Sequence, residues 1–123
     1  WWVEPDVGIA VDVTDVDDTP GSEKGGTTRL GGGAAIKVMD SSVICHPEVV
    51  ARLEELAKGE GIPVQRDIQR AGGTDAGAIH TARFGVKTGG ISIPCRYVHT
   101  PAETADLEDI RACMALTVAF AQQ

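Results

Sequence analysis

Two side chains in this sequence have the type and setting of metal ligands, Asp12 and His99. Asp12 is an acid in an otherwise apolar run, Val7 to Val13, and stands just before a polar stretch. Burying an ionised carboxylate is costly unless a positive group meets it. A metal ion at the C-terminal end of a strand would do so, because open α/β sheets bind ligands at that end. The plainer and commoner alternative is an aspartate that caps the turn at Thr14 through backbone N–H groups. His99 lies in Tyr97-Val98-His99-Thr100-Pro101, just past a second strand-like run. Neutral imidazole is the commonest metal ligand, and zinc accepts nitrogen and oxygen together. The alternative there is a histidine bonded to nearby backbone. The pair is far apart in sequence and forms no local motif.

A denser segment runs from Gly72 to His80 (GGTDAGAIH). Its paired glycines would let a substrate backbone approach closely, and Thr74 and Asp75 offer hydrogen bonds near a helix start. Gly73, Thr74 and Asp75 are the substrate-binding candidates; the competing reading is a glycine turn followed by a helix cap. His80 sits one turn into that helix and His46 precedes Pro47, and both are structural on this reading. There is no G-x-S-x-G elbow, P-loop, H-E-x-x-H or cysteine–metal cluster. Gly31-Gly32-Gly33 lacks the spacing and the helix of a dinucleotide fingerprint. No residue is nominated as a catalytic base or nucleophile.

The elements that must position these groups follow from periodicity. Val7 to Val13 is a strand, and the polar stretch from Thr14 to Thr28, with Gly25 and Gly26 near its end, is a loop. Ala35 to Met39 is a second strand. Pro47 to Lys58 is a helix: proline suits its first position, Val49, Val50, Leu53, Leu56 and Ala57 share one face, and Gly59 and Gly61 end it. Ile62 to Ile68 follows as a strand, and Thr74 or Asp75 caps a short helix from Ala76 to about Arg83. Ile91 to Val98 is a strand in which Pro94 suggests an edge or a bulge. A last helix begins near Asp106, with Leu107, Ile110, Cys113, Met114, Val118 and Ala121 as its apolar stripe and Glu108 and Asp109 favouring its positive end. The fold class is α/β with some parallel pairing.

Composition sets the frame. The 123 residues suit one domain, with 42% hydrophobic and 24% charged residues and no low-complexity tract, which is a globular balance. A formal charge of −7 repels phosphate backbones and anionic lipid, so neither nucleic acid nor membrane is an expected partner. No apolar run approaches a membrane span, no signal peptide is visible, and three cysteines in no CxxC spacing suit reduced thiols, so a cytoplasmic location is expected. The chain opens Trp1-Trp2-Val3 without methionine, and many of its fifteen glycines sit in loops that expect a neighbour. Either processing has removed something or this is a piece of a longer chain, and the glycines add weight to the second.

Five segments, taken in order, carry a resemblance. They are Pro5 to Thr14 (PDVGIAVDVT), Asp18 to Gly21 (DTPG), Leu30 to Ile36 (LGGGAAI), Gly72 to His80, and Ile91 to Glu103 (ISIPCRYVHTPAE). In order and spacing they resemble the tetrahedral-aminopeptidase family, the glutamyl aminopeptidases and relatives, some of which are labelled endoglucanases. The resemblance implies part of a mixed-sheet metallopeptidase catalytic domain with flanking helices. It further implies two divalent metal ions, zinc or cobalt, sharing a bridging aspartate, with the family's strand aspartate matched by Asp12 and its later histidine by His99. Asp12 would then serve one ion and His99 the other. A further histidine, the bridging aspartate and a pair of glutamates lie upstream in the family and have no counterpart here.

On this resemblance, residues 1–123 form the C-terminal segment of the catalytic domain, without its upstream half or the inserted small β domain. The implied activity is release of N-terminal residues from a peptide substrate by a metal-activated water, in a homo-oligomer ranging from dimer to dodecamer. The isolated chain is expected to be inactive and to bind metal weakly or not at all. The alternatives are a non-catalytic fragment or interaction module and, more remotely, a glycoside hydrolase. The last needs two carboxylates about 5–10 Å apart and no metal, for which Asp12 with Asp75 or Glu103 can be nominated.

Overall fold

The computed structural model describes residues 3–22 and 26–123; Trp1, Trp2 and Gly25 lie outside the described residues. The elements are β1 (Val7–Asp15), β2 (Ala34–Met39), α1 (Pro47–Glu60), β3 (Val64–Ile68), α2 (Asp75–His80), β4 (Lys87–Arg96), β5 (Thr104–Ala105) and α3 (Leu107–Ala121). The first four strands form one mixed sheet in the order β1-β4-β2-β3, and β5 adds a short pairing to the end of β4. β1 runs parallel to β4 with Asp12 opposite Ser92 and Asp15 opposite Cys95. β2 is antiparallel to β4 and parallel to β3. The fold is thus α/β with a mixed sheet and flanking helices.

Strand alternation sorts the sheet residues onto two faces. A methyl group on Gly89 would strike Val49 of α1, whereas one on Gly8 would strike Ile79 of α2. The two glycines lie in adjacent register rows and point to opposite faces, so α1 and α2 cover opposite sides. On the α1 side Ile36, Leu53, Ile91 and Leu116 are fully buried and tie α1 and α3 to the central strands. Burying each such side chain contributes about 1.5–3 kcal/mol, and Leu53→Ala would cost about 2–5 kcal/mol. Asp12 shares its face with Gly8, so it points away from this core toward the side of α2.

Local chemistry sets the ends of α1. His46 is the N-cap, its Nδ1 accepting from Glu48 N at 3.3 Å, and Pro47 follows in the first turn. Gly59 is absorbed into the helix. Gly61 stops it with φ 67° and ψ 26°, a left-handed conformation that favours glycine. Ile62 N then bonds Ala57 O at 2.8 Å, so the following strand starts at Val64 rather than at Ile62.

Two expectations fail for reasons that can be named. α3 is rotated from its expected stripe: Cys113 is buried and Ile110 half-buried, but Leu107, Met114, Val118 and Ala121 are exposed. The buried row is Asp109, Ala112, Cys113 and Leu116. Asp109 causes the rotation. Its carboxylate accepts from Gly33 N at 2.7 Å and Gly31 N at 2.8 Å, drawing that face of the helix onto the glycine loop. Hydrophobicity alone cannot see a buried acid used in this way.

Pro94, expected at an edge or bulge, lies on an inner strand and is fully buried. On the side away from β1, β4 pairs with β2 as far as Ser92 and with β5 from Cys95. Pro94 occupies the gap between those partners, where no ladder contact is displaced on that side. No helix among the described residues is long and apolar enough to cross a membrane.

Candidate functional site

Parallel pairing of β1 with β4 brings their C-terminal ends together, and the sequence places Asp12 near one end and His99 just beyond the other. Both line a cleft of about 130 Å³, along with Gly73 and Thr74 from the glycine segment and Lys37 and Asp40 from β2 and the turn after it. Four of the five residues nominated for metal or substrate binding therefore meet at one place. The remaining candidate, Asp75, is exposed at the start of α2 and does not line the cleft. Glu103 is likewise absent from its walls, so neither carboxylate nominated as a glycosidase partner joins Asp12 there.

Asp12 is exposed to the cleft rather than buried, so the desolvation argument for a countercharge does not apply to it. Its Oδ1 accepts from Val13 N at 2.8 Å, a bond to the adjacent backbone rather than a cap of the Thr14 turn. His99 sits in a turn closed by Thr100 N to Tyr97 O at 3.1 Å. His99 and Tyr97 have φ of 63° and 58°. Left-handed backbone costs a residue with a side chain roughly 1–2 kcal/mol, and such strain concentrates at functional sites.

Behind the cleft lies an ion pair that water does not reach. Lys37 Nζ is 2.6 Å from Asp67 Oδ2, with side chains 3% and 0% exposed. The ammonium approaches as an ion pair rather than a well-aligned hydrogen bond, and among the described residues Asp67 Oδ1 also receives none. Asp40 is buried and better satisfied: Oδ1 accepts from Ser42 N at 2.8 Å, Ser42 Oγ at 2.7 Å and Val43 N at 3.1 Å. Its Oδ2 accepts from Thr74 Oγ1 at 3.0 Å. Burial opposes ionisation of Asp40. The hydrogen bonds from Ser42 and Thr74 and the charge of Lys37 outweigh it and hold the carboxyl below the usual range.

The glycine segment is built differently from its sequence reading. Thr74 occupies the N-cap position of α2, yet its side chain makes no capping bond, because the hydroxyl is committed to Asp40. A Cβ on Gly73 would lie 3.1 Å from Ser42 Cβ, and one on Gly77 would lie 2.6 Å from Ser42 Oγ. These glycines make room for Ser42. The wall of the cleft is thereby backed by Ser42 and Asp40.

Sequence reasoning passed over Lys37, Asp40, Asp15 and Gln69, all of which line the cleft. A signal existed for the first: a lysine within Ala34-Ala35-Ile36-Lys37-Val38 is as anomalous as an aspartate within β1. Burial pushes the thiols of Cys45, Cys95 and Cys113 each up to about 11, which keeps them in the un-ionised, weakly nucleophilic form at neutral pH. Among the described residues no three carboxylate, imidazole or thiol groups gather to hold a metal ion. A catalytic zinc takes three protein ligands and a water. Asp12 and His99 fit a metal centre in donor type but not in number.

The sequence pattern of the M42 glutamyl aminopeptidases matches residues 1–116. A protein of Acetivibrio thermocellus named as an aminopeptidase is 53% identical over 116 residues, covering 94% of this chain and 35% of the relative. Aminopeptidase APDkam598 from Desulfurococcus kamchatkensis superposes with a TM-score of 0.87 at 43% identity, over 94% of this chain and 34% of the other. The TET1 peptidase of Pyrococcus horikoshii, described as assembling into a tetrahedron or a large octahedral shell, gives a TM-score of 0.82 at 30% identity, over 95% of this chain and 33% of the other. The chain thus spans about a third of the length of each relative. With a matching pattern over nearly all its residues and the same fold at substantial identity, the chain belongs to the M42 glutamyl aminopeptidase family.

Proposed function

We propose that this chain is the C-terminal segment of the catalytic domain of a metal-dependent aminopeptidase, and that Asp12 and His99 each supply one ligand to a different one of two divalent ions, zinc or cobalt. The observation that carries this reading is the arrival of both side chains in one cleft from the C-terminal ends of paired parallel strands. The remaining ligands and the catalytic base belong to the two-thirds of the relatives' length that this chain does not span. When bound, the ions polarise the scissile carbonyl and acidify a water.

The chain's own residues hold and orient. Asp12 and His99 point donor atoms into the cleft, and the backbone of Gly73 with the hydroxyl of Thr74 forms the wall that receives the peptide. Asp75, next to Thr74 and exposed at the start of α2, is the third residue of the peptide-binding set. The isolated chain is inactive on this reading and binds metal weakly, because two donors do not satisfy either ion. The complete enzyme is a homo-oligomer, a reading supported by the assemblies described for the related TET1 peptidase.

The test is Asp12→Ala in the complete enzyme, assayed on an aminoacyl-anilide with saturating metal. Loss of most of the activity is expected, and near-normal turnover would refute the role.

A further inference from the structure

Thr74 is held in an unusual way for a helix-capping residue. Its hydroxyl turns away from the backbone of α2 and reaches Asp40 Oδ2 at 3.0 Å, across 34 residues of sequence. The other oxygen of Asp40 is saturated by Ser42 N, Ser42 Oγ and Val43 N. The same turn grips the glycine segment a second time, through Ser41 N to Gly72 O at 3.0 Å. Ser42 packs directly behind Gly73. Asp40, Ser41 and Ser42 of the β2–α1 turn thus converge on the wall formed by Gly73 and Thr74.

The inventory of donors and acceptors then fixes the proton. An ionised carboxylate has only lone pairs to offer, so Thr74 must donate its single proton to Asp40. What Thr74 turns toward the cleft is therefore a pair of lone pairs on a polarised oxygen. Such a group takes an N–H and rejects a carbonyl. A peptide with a free N-terminus brings two N–H groups near its scissile carbonyl, the terminal ammonium and the next amide.

We propose that Asp40 is a positioning residue for peptide binding: by taking the Thr74 hydroxyl proton, it makes Thr74 an obligate acceptor for an N–H at the N-terminal end of the substrate. The inference rests on the aminopeptidase reading and deepens it, since it names what in this chain recognises the peptide rather than the metals. Lys37 supports it from behind, where its charge favours the ionised form of Asp40.

The experiment uses the complete, metal-loaded enzyme with leucyl-p-nitroanilide, and calorimetric binding of leucinamide as a second readout. Thr74→Val keeps the shape and removes the acceptor; it is expected to raise KM about tenfold with kcat within about threefold, as for loss of one hydrogen bond to a charged group. Thr74→Ser restores KM. Asp40→Asn lets an amide N–H face Thr74 and frees its proton to turn toward the cleft, so it raises KM similarly. Added to Thr74→Val, it has no further effect on KM. A purely structural Asp40 would instead lower thermal stability and leave KM unmoved in a folded variant. An unchanged KM in Thr74→Val, or KM effects of the two substitutions that multiply, would overturn the proposal. If Asp40→Asn does not fold, the Val and Ser variants at Thr74 decide alone. An enzyme that binds leucinamide but does not cleave would sink the aminopeptidase reading while the binding comparison still judges Thr74. Equal leucinamide affinity in wild type and Thr74→Val, including no binding by either, overturns the inference itself.

Discussion

Replacing Lys37 with Met is expected to be among the most damaging single changes in the floor of the cleft. The two side chains of the Lys37–Asp67 pair are 3% and 0% exposed, and their charged atoms are 2.6 Å apart. Among the described residues Asp67 Oδ1 accepts no hydrogen bond, and the cation paired with the carboxylate is Lys37. Removing it strands a charge that water cannot reach, at a cost of about 3–5 kcal/mol, or roughly a 10²- to 10⁴-fold shift toward the unfolded state. The double replacement Lys37→Met with Asp67→Leu removes both charges, fills similar volume and is expected to restore stability to near wild type or above it. Guanidinium unfolding of the complete protein, followed by circular dichroism, compares the three variants on one scale. A single substitution that costs less than about 1 kcal/mol, the worth of an exposed pair, would refute the reasoning, as would a double variant no better than the single.

Other expectations are simpler. Asp40 has its carboxyl held below the usual range, so its contribution to stability is complete above the unfolded-state value and is lost as pH falls through the folded-state value; Asp40→Asn should flatten that acid limb of the unfolding free energy against pH. Gly33→Ala puts a Cβ 2.1 Å from Pro63 O at φ 88° and is expected to destabilise strongly. Gly59→Ala lies in α1 with nothing within 4 Å and should stabilise by roughly 0.5–1 kcal/mol, both read as shifts in unfolding midpoint. The three buried cysteines should resist iodoacetamide in the native protein at pH 7.5 and react fully once it is unfolded, as intact mass would record.

Much of this fold was legible because its signals are local. α1 follows from an apolar face, a proline start and a glycine stop, and the parallel unit β2-α1-β3 from a helix set between two apolar runs. Asp12 and His99 could be singled out because each interrupts or follows a strand. Their meeting could not be read, since it depends on β1 pairing with a strand some eighty residues on in the same direction. The rotation of α3 was illegible for a related reason. Asp109 looks like a solvated first-turn acid until the Gly31–Gly33 loop folds over it. Lys37 is anomalous in its apolar run, but Asp67 looks like surface charge on a strand, and only the sheet register sets the two side by side. Gly73 and Gly77 announce close approach in the sequence without saying by what, and the partner is Ser42.

The most direct test is a crystal structure of the complete enzyme grown with zinc, with the ions located by anomalous scattering. The account predicts two ions in this cleft, one about 2.0–2.2 Å from a carboxylate oxygen of Asp12 and the other about 2.0–2.1 Å from a ring nitrogen of His99. An empty cleft, or zinc bound with Asp12 and His99 both outside coordination distance, would contradict it.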